Sequence, residues 1–433
     1  MKTKPSPNGS GAERCRTMSK SATVAMVDAH PKLFVACALT AAGAAISWLI
    51  WCTPSTLTVC WLLLAIPILW ARTRSRAAAT ALVLSYVLVG THDIPSIATA
   101  FFPGLAPALG ILLWLLAGLA WTAPWALLWR PSMSARAAGW RAAAATLAVT
   151  LPPVGFIGWL SPLALAGAAF PGLGFAGIAM TLMLFASVTA AALPGRNRKP
   201  AAASAATLLL ASLITIYGFS TPSLPSGWHA LDTREGRYPN ASDLPNRMQR
   251  QAALVDLAHQ ALDKPGTKLV VLPEEIAGVA DSLVASSWTP VDARARTVGA
   301  TILLGLDQPN GEFTYEDTLL AFGADAPLRA TARVPMPVGQ WHPWASPSAP
   351  IELMHYRSFI IDGRRVGFSF CFEDFLLWVQ AMTMLQQHPK VLISVANNWF
   401  DPGADAQRIQ ARHIELWARL WGLPLLRATN WGR

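Results

Sequence analysis

Val366-Gly367-Phe368-Ser369-Phe370-Cys371-Phe372-Glu373-Asp374 is the stretch on which the reading of this chain turns. A short apolar run of this kind reads as a buried strand. It ends abruptly at Cys371, the only cysteine beyond residue 60, with two carboxylates directly behind. A single cysteine at a strand end with acids beside it is a candidate nucleophile. Taken alone, the stretch is equally compatible with a cysteine that only packs.

The chain around it divides in two. Of 433 residues, 53% are hydrophobic and 13% charged, too apolar for an ordinary soluble protein. Residues 1–219 hold 15 Lys and Arg against 3 Asp and Glu, whereas residues 220–433 hold 19 against 21. The net charge of +10 therefore originates in the apolar half, where it reads as a topology signal and not as a nucleic-acid surface. The other cysteines, Cys15, Cys37, Cys52 and Cys60, precede the polar half, so Cys371 has no partner there for an internal disulfide. Oxidising and reducing compartments are both allowed on that ground.

Residues 1–31 form a polar tail carrying Lys2, Lys4, Arg14, Arg16 and Lys20, expected on the cytoplasmic side. The apolar run behind it is long enough to span, so the sequence predicts an uncleaved anchor. A membrane domain over 32–219 follows, with apolar segments at about 33–52, 55–71, 77–91, 106–129, 142–160, 172–193 and 203–219. Arg72, Arg74, Arg76, Arg130, Arg136, Arg141, Arg196, Arg198 and Lys199 fall in alternate loops, and the loops between carry no Lys or Arg. The positive-inside rule then puts the N-terminus in the cytoplasm and, after about seven crossings, residues 220–433 outside it.

Composition changes at Ser220, and a Ser/Pro-rich linker leads into alternating strand and helix patterns. Strands are expected near 228–231, 268–272, 301–306, 317–322, 358–361, 365–370 and 391–395, with Asp362-Gly363 as a hairpin turn. Helices are expected over 246–263 and 405–421. This is a layered α/β pattern. Glu274, Cys371 and Asn397 each stand at a strand end, where sites in such folds gather.

Five blocks carry a family resemblance. They are Leu-Pro-Glu at 272–274, Val-Pro-Met-Pro-Val-Gly-Gln-Trp-His-Pro at 334–343, Phe-Cys-Phe-Glu at 370–373, Asn-Asn-Trp-Phe at 397–400 and Leu-Leu-Arg-Ala-Thr-Asn at 425–430. In this order, behind a multispanning half, the chain resembles the nitrilase (carbon–nitrogen hydrolase) superfamily. Within it, the chain is similar to the apolipoprotein N-acyltransferases and especially to the TraB proteins of conjugative plasmids. The resemblance implies a multispanning α-helical membrane domain followed by an αββα sandwich, short at its C-terminus, in the bacterial inner membrane with residues 220–433 periplasmic. It implies a Glu–Lys–Cys triad. Glu274 falls on the base that takes the Cys371 proton, Cys371 on the nucleophile that forms a thioester, and Glu373 on the acid that orients the site. The Phe372 N–H is a candidate oxyanion donor. The implied partners are membrane lipid, a phospholipid acyl donor, and lipoprotein or conjugation-apparatus proteins. No nucleic acid, cofactor or metal is expected.

Three departures stand against full activity. The family lysine falls on Ala332, with Arg333 beside it as either an oxyanion partner or an exposed loop charge. Gln340 replaces the glutamate of the N-acyltransferases, and the end at Arg433 reads as truncated or divergent. Glu275, and Arg408, Arg412 and Arg419 with Glu415, read as solvated surface. His342, His388 and His413 lack metal-ligand spacing and read as structural. Two functions stay open: an acyltransferase or amidase working through a Cys thioester, and a non-catalytic membrane component of conjugation.

Overall fold

Strand β7, Arg364–Phe370, leads into Cys371 as the sequence requires. Its hairpin partner β6, Phe359–Ile361, is joined through Asp362 and Gly363. Both turn residues have positive φ, 48° and 70°, the condition for a two-residue turn that follows the strand twist. The computed structural model describes residues 34–432 apart from 103, 105, 197, 313, 343, 345–347, 356–357 and 401–404. The expected tail 1–31 and Arg433 lie outside the described residues.

Two mixed sheets carry the polar half. One has the order β6-β7-β8-β9, with β8 (Val391–Asn398) and β9 (Leu425–Trp431) parallel to β7. Every residue of β8 is buried, as expected of a central parallel strand covered on both faces. The other has the order β1-β2-β3-β4-β5: Trp228–Ala230, Leu269–Val271, Thr301–Pro309, Tyr315–Gly323 and Arg329–Thr331. β1 to β3 are parallel, and β3 to β5 antiparallel. One apolar cluster, including Leu269, Leu303, Phe368 and Ile393, lies between the sheets. Helices α10 (Leu244–Leu262) and α11 (Ser282–Val298) pack outside the β1–β5 sheet through Leu254, Trp288 and Val291. Helices α12 (Leu377–Gln387) and α13 (Asp405–Trp421) cover the β6–β9 sheet. The layers are therefore α–β–β–α.

Before Ser220 the described chain is helical. Phe34–Cys52 (α1), Pro107–Leu128 (α5), Gly174–Ala191 (α8) and Arg198–Gly218 (α9) are long and apolar enough to cross a membrane. Arg76–Gly90 (α3) and Ile94–Phe101 (α4) make a fifth candidate if this pair, bent by 45°, is one span. The other two expected segments form shorter helices, Leu57–Arg72 (α2) and Ala135–Thr150 (α6). The first eight residues of α2 are 3-10 and the last eight α-helical. At rises of about 2.0 and 1.5 Å per residue the sixteen reach roughly 28 Å, near the ~30 Å of a hydrocarbon core.

The loops without Lys or Arg all meet the α/β layers. Arg412 of α13 donates to the carbonyls of Thr53 and Ser55, at 3.2 and 2.8 Å. Phe101 packs on Trp399 at 5.0 Å between ring centroids. The short helix Leu165–Ala169 (α7) packs against α13, and Gly172 N–H donates to Arg419 O at 2.9 Å. The Arg-bearing loops gather at the other helix ends, where Arg141 donates to Leu128 O and Arg76 to Trp129 O. Of the α13 face expected to be solvated, Glu415 is exposed, but Arg412 and Arg419 make internal contacts. Arg412 is buried, and Arg419 lies 4.7 Å over the Phe219 ring. Periodic arginines look solvated until the carbonyl ends of facing helices supply partners.

Candidate active site

The ends of β2, β7, β8 and β9 converge. Glu274 follows β2 in a turn that lies directly on β3: a Cβ at Gly305 would come within 2.0 Å of Pro273 O and 2.7 Å of Glu274 Cα. Only glycine permits that approach. Glu275 has φ of +49°, so the two glutamates diverge. Glu274 Oε2 accepts from the Asn397 N–H at 3.1 Å and lies within hydrogen-bond reach of the Cys371 thiol. Glu275 accepts from Gln340 Nε2 at 2.7 Å. It is half-buried, which corrects the expectation of a solvated residue. The expected base and nucleophile are side by side.

Cys371 opens a 3-10 turn, Cys371–Phe375, with φ of +24°, a strained value for a residue bearing a side chain. Glu373 explains how the elbow is held. Its Oε1 accepts from the N–H groups of Arg333 and Val334, at 2.5 and 2.9 Å, and its Oε2 from Phe370 N–H at 3.1 Å. It ties the 332–334 segment to the cysteine turn. Gln410 Nε2 donates to Cys371 O at 2.7 Å, and Asp374 accepts from Ser369 and Ser394. Asn397 is also a network member: its side-chain oxygen accepts from Asn430 Nδ2 at 2.7 Å.

Arg333 is neither an exposed loop charge nor bonded to Cys371. Its guanidinium is buried and donates to Leu353 O, His355 O and Gln386 Oε1. Ala332 is also buried, and its N–H donates to Asp317 O at 3.0 Å, so the position of the family lysine faces β4 beside Asp317.

Two further acids complete the site. Asp307 of β3 and Asp317 of β4 are direct cross-strand partners. Asp317 is buried against Glu274, and Asp307 is half-buried against Glu275. Among the described residues no Lys, Arg or His side chain bonds to any of the four. Burial first, then mutual repulsion, pushes Glu274, Asp307 and Asp317 well above the ordinary carboxylate range; burial raises Glu275 too. Burial pushes the Cys371 thiol up to about 12, against the N–H of Asn397 and the hydrogen bond with Glu274, which lower it. The site therefore holds protons. Burial and the proximity of the other acids both favour the protonated forms of Glu274, Asp307 and Asp317.

A cavity of about 210 Å³ lies against this region, lined among others by Ile97, Phe101, Leu113, Trp159, Met336 and Phe372. Its walls are α4, α5, the 336–339 loop and the residue after the cysteine. A polar cleft of about 680 Å³, lined by Arg237, Tyr238, Asn246 and Arg250, opens on the far side of Trp399. The Trp399 ring carries Phe101 on one contact and the Arg237 guanidinium, 4.8 Å from its centroid, on another.

No family model matches the chain. Over 389 residues it is 28% identical to the conjugal transfer protein TraB of Agrobacterium fabrum, covering 84% of this chain and 86% of that protein. It is 27% identical over 380 residues to a probable conjugal transfer protein TraB of Sinorhizobium fredii, covering 85% and 91%. Solved structures similar to part of the chain are carbon–nitrogen hydrolases. One, from Helicobacter pylori G27, has 16% identity, covers 45% of this chain and 70% of its own, and has a TM-score of 0.34. An amidase from Nesterenkonia has 15% identity, covers 49% and 80%, and has the same TM-score of 0.34. Along most of its length the chain resembles conjugal transfer proteins.

Proposed function

We propose that this is a multispanning inner-membrane protein that supports plasmid conjugal transfer, with slow thioester chemistry on Cys371 of a periplasmic α/β domain. The observation that carries the chemistry is Glu274 within hydrogen-bond reach of a half-buried thiol on a strained turn, beside an apolar cavity walled by α4 and α5. The alternation of arginine-bearing and neutral loops, with the neutral ones on the α/β layers, supports the topology.

In the reaction the ionised form of Glu274, a minority species because burial raises this carboxyl, takes the Cys371 proton as sulfur attacks an acyl ester carbonyl, which keeps the step slow. The S–C bond forms, the ester C–O bond breaks, and the departing alkoxide takes the proton back from Glu274. An amine or water then attacks the thioester and releases the thiol. The Phe372 N–H is the candidate oxyanion donor. Among the described residues no cation stands in for the lysine expected at Ala332, and losing such a donor typically costs a factor of about 10²–10³ in rate. The chain should therefore not replace an apolipoprotein N-acyltransferase in a strain depleted of its own. Rescue by the wild type, abolished by Cys371→Ala, would make it an active N-acyltransferase instead.

Mating frequency tests the conjugation role. Donors lacking the protein should transfer the plasmid poorly, and the wild-type chain should restore transfer. Unchanged transfer in its absence would refute the role. Restoration by Cys371→Ala as complete as by wild type would refute the chemistry alone.

A further inference from the structure

Three potential metal ligands meet outside the candidate active site, from parts of the chain far apart in sequence. Cys52 ends α1, His92 lies in the bend between α3 and α4, and Asp405 opens α13. Their Sγ, Nε2 and carboxylate oxygen all lie within 4.8 Å of one another. Asp93 stands beside them, its Oδ1 3.1 Å from His92 Nε2. Asp405 Oδ2 is 3.5 Å from the same nitrogen, while its other oxygen pairs with Arg408.

The imidazole is oriented from behind. His92 Nδ1 lies 2.9 Å from the carbonyl of Val89. A ring that donates Nδ1–H to a carbonyl turns its Nε2 lone pair toward the cluster, the arrangement found behind metal-bound histidines. One sulfur, one imidazole nitrogen and carboxylate oxygen form a donor set that tetrahedral zinc accepts, at bond lengths of about 2.0–2.3 Å. Charge fits as well. A Cys52 thiolate and two carboxylates are balanced by Arg408 and one divalent ion. His92 is the exposed member, its side chain 38% accessible, and gives the ion a path from solvent.

We propose that Cys52, His92 and Asp405 bind one zinc ion. Binding releases the Cys52 thiol proton to solvent as the Zn–S bond forms. The ion would brace the bend where α3 turns into α4, a wall of the apolar cavity, against the end of α1 and the start of α13. The site does not depend on the chemistry proposed for Cys371.

Full-length protein in detergent, stripped with a chelator, would be titrated with Zn²⁺ and separately with Co²⁺, whose sulfur-to-metal absorption reports a bound thiolate. We expect one equivalent of either metal and a thiolate band that disappears in Cys52→Ser. His92→Gln changes an exposed side chain and should weaken binding at least about tenfold with the fold retained. If Cys52→Ser does not fold, His92→Gln decides the question. Failure of the wild type to take up a stoichiometric ion would overturn the proposal. So would a thiolate band that survives Cys52→Ser, or affinity unchanged in His92→Gln.

Discussion

Cys371 is held in a setting that opposes its ionisation. Burial pushes the thiol up to about 12, and the acids around it supply no positive charge. Its alkylation by iodoacetamide should be slow at neutral pH and rise about tenfold per pH unit up to at least pH 9, because the thiolate is the reacting form. A rate that levels off by pH 8 would mean that a cation reaches the sulfur. The acids make a second expectation. Glu274, Asp307, Asp317 and Asp374 have raised values in the fold, Asp374 to about 7 by burial against the pull of Arg427. Between the ordinary carboxylate value near 4 and these raised values, the folded chain binds more protons than the unfolded one. Stability should thus be highest below about pH 4 as far as these groups act, and fall as pH rises toward 7, by about 1.4 kcal/mol per unit of difference for each group. Urea midpoints that rise from pH 5 to pH 8 would contradict the raised carboxyls.

At the level of elements, two substitutions noticed separately in the sequence belong together. Against the lysine and glutamate that the family resemblance puts at these positions, Ala332 lacks a cation beside Asp317 and Gln340 lacks an anion beside Glu275. The local charge balance of a lysine–glutamate site is thereby kept. Gln340→Glu alone would set two carboxylates in contact and should lower the unfolding temperature. Ala332→Lys should soften that loss, with a favourable coupling of about 0.5–3 kcal/mol in the double mutant. Strict additivity would show that the two positions are independent. The strand ends, the Asp-Gly hairpin and the meeting of Glu274 with Cys371 could all be read from the chain. Asp307 and Asp317 could not. They are unremarkable polar residues at strand margins until the β3–β4 register places them opposite each other, and register is a tertiary fact. Arg333 misled for a related reason: it is next to the lysine position in sequence, but successive residues of an extended segment point to opposite faces.

Over the whole molecule, the order of neutral and arginine-bearing loops matches which helix ends touch the α/β layers. Sequence alone did not show that α2 gains length from its 3-10 half, or that α3 bends by 45° into α4. It also could not bring Cys52 to His92 and Asp405, since no local spacing joins them. A reporter active only outside the cytoplasm should work when fused near residue 225 and fail when fused near 74 or 197. Activity in the opposite pattern would invert the topology. The most direct measurement is capture of an acyl-enzyme. Purified protein incubated with acyl-labelled phospholipid, in the absence of an acceptor, should slowly gain one hydroxylamine-sensitive label. Peptide mapping should place it on Cys371, with the label absent in Cys371→Ala and strongly reduced in Glu274→Gln. Label that persists in Cys371→Ala, or none on a folded wild-type protein after prolonged incubation, would contradict a thioester role for this site.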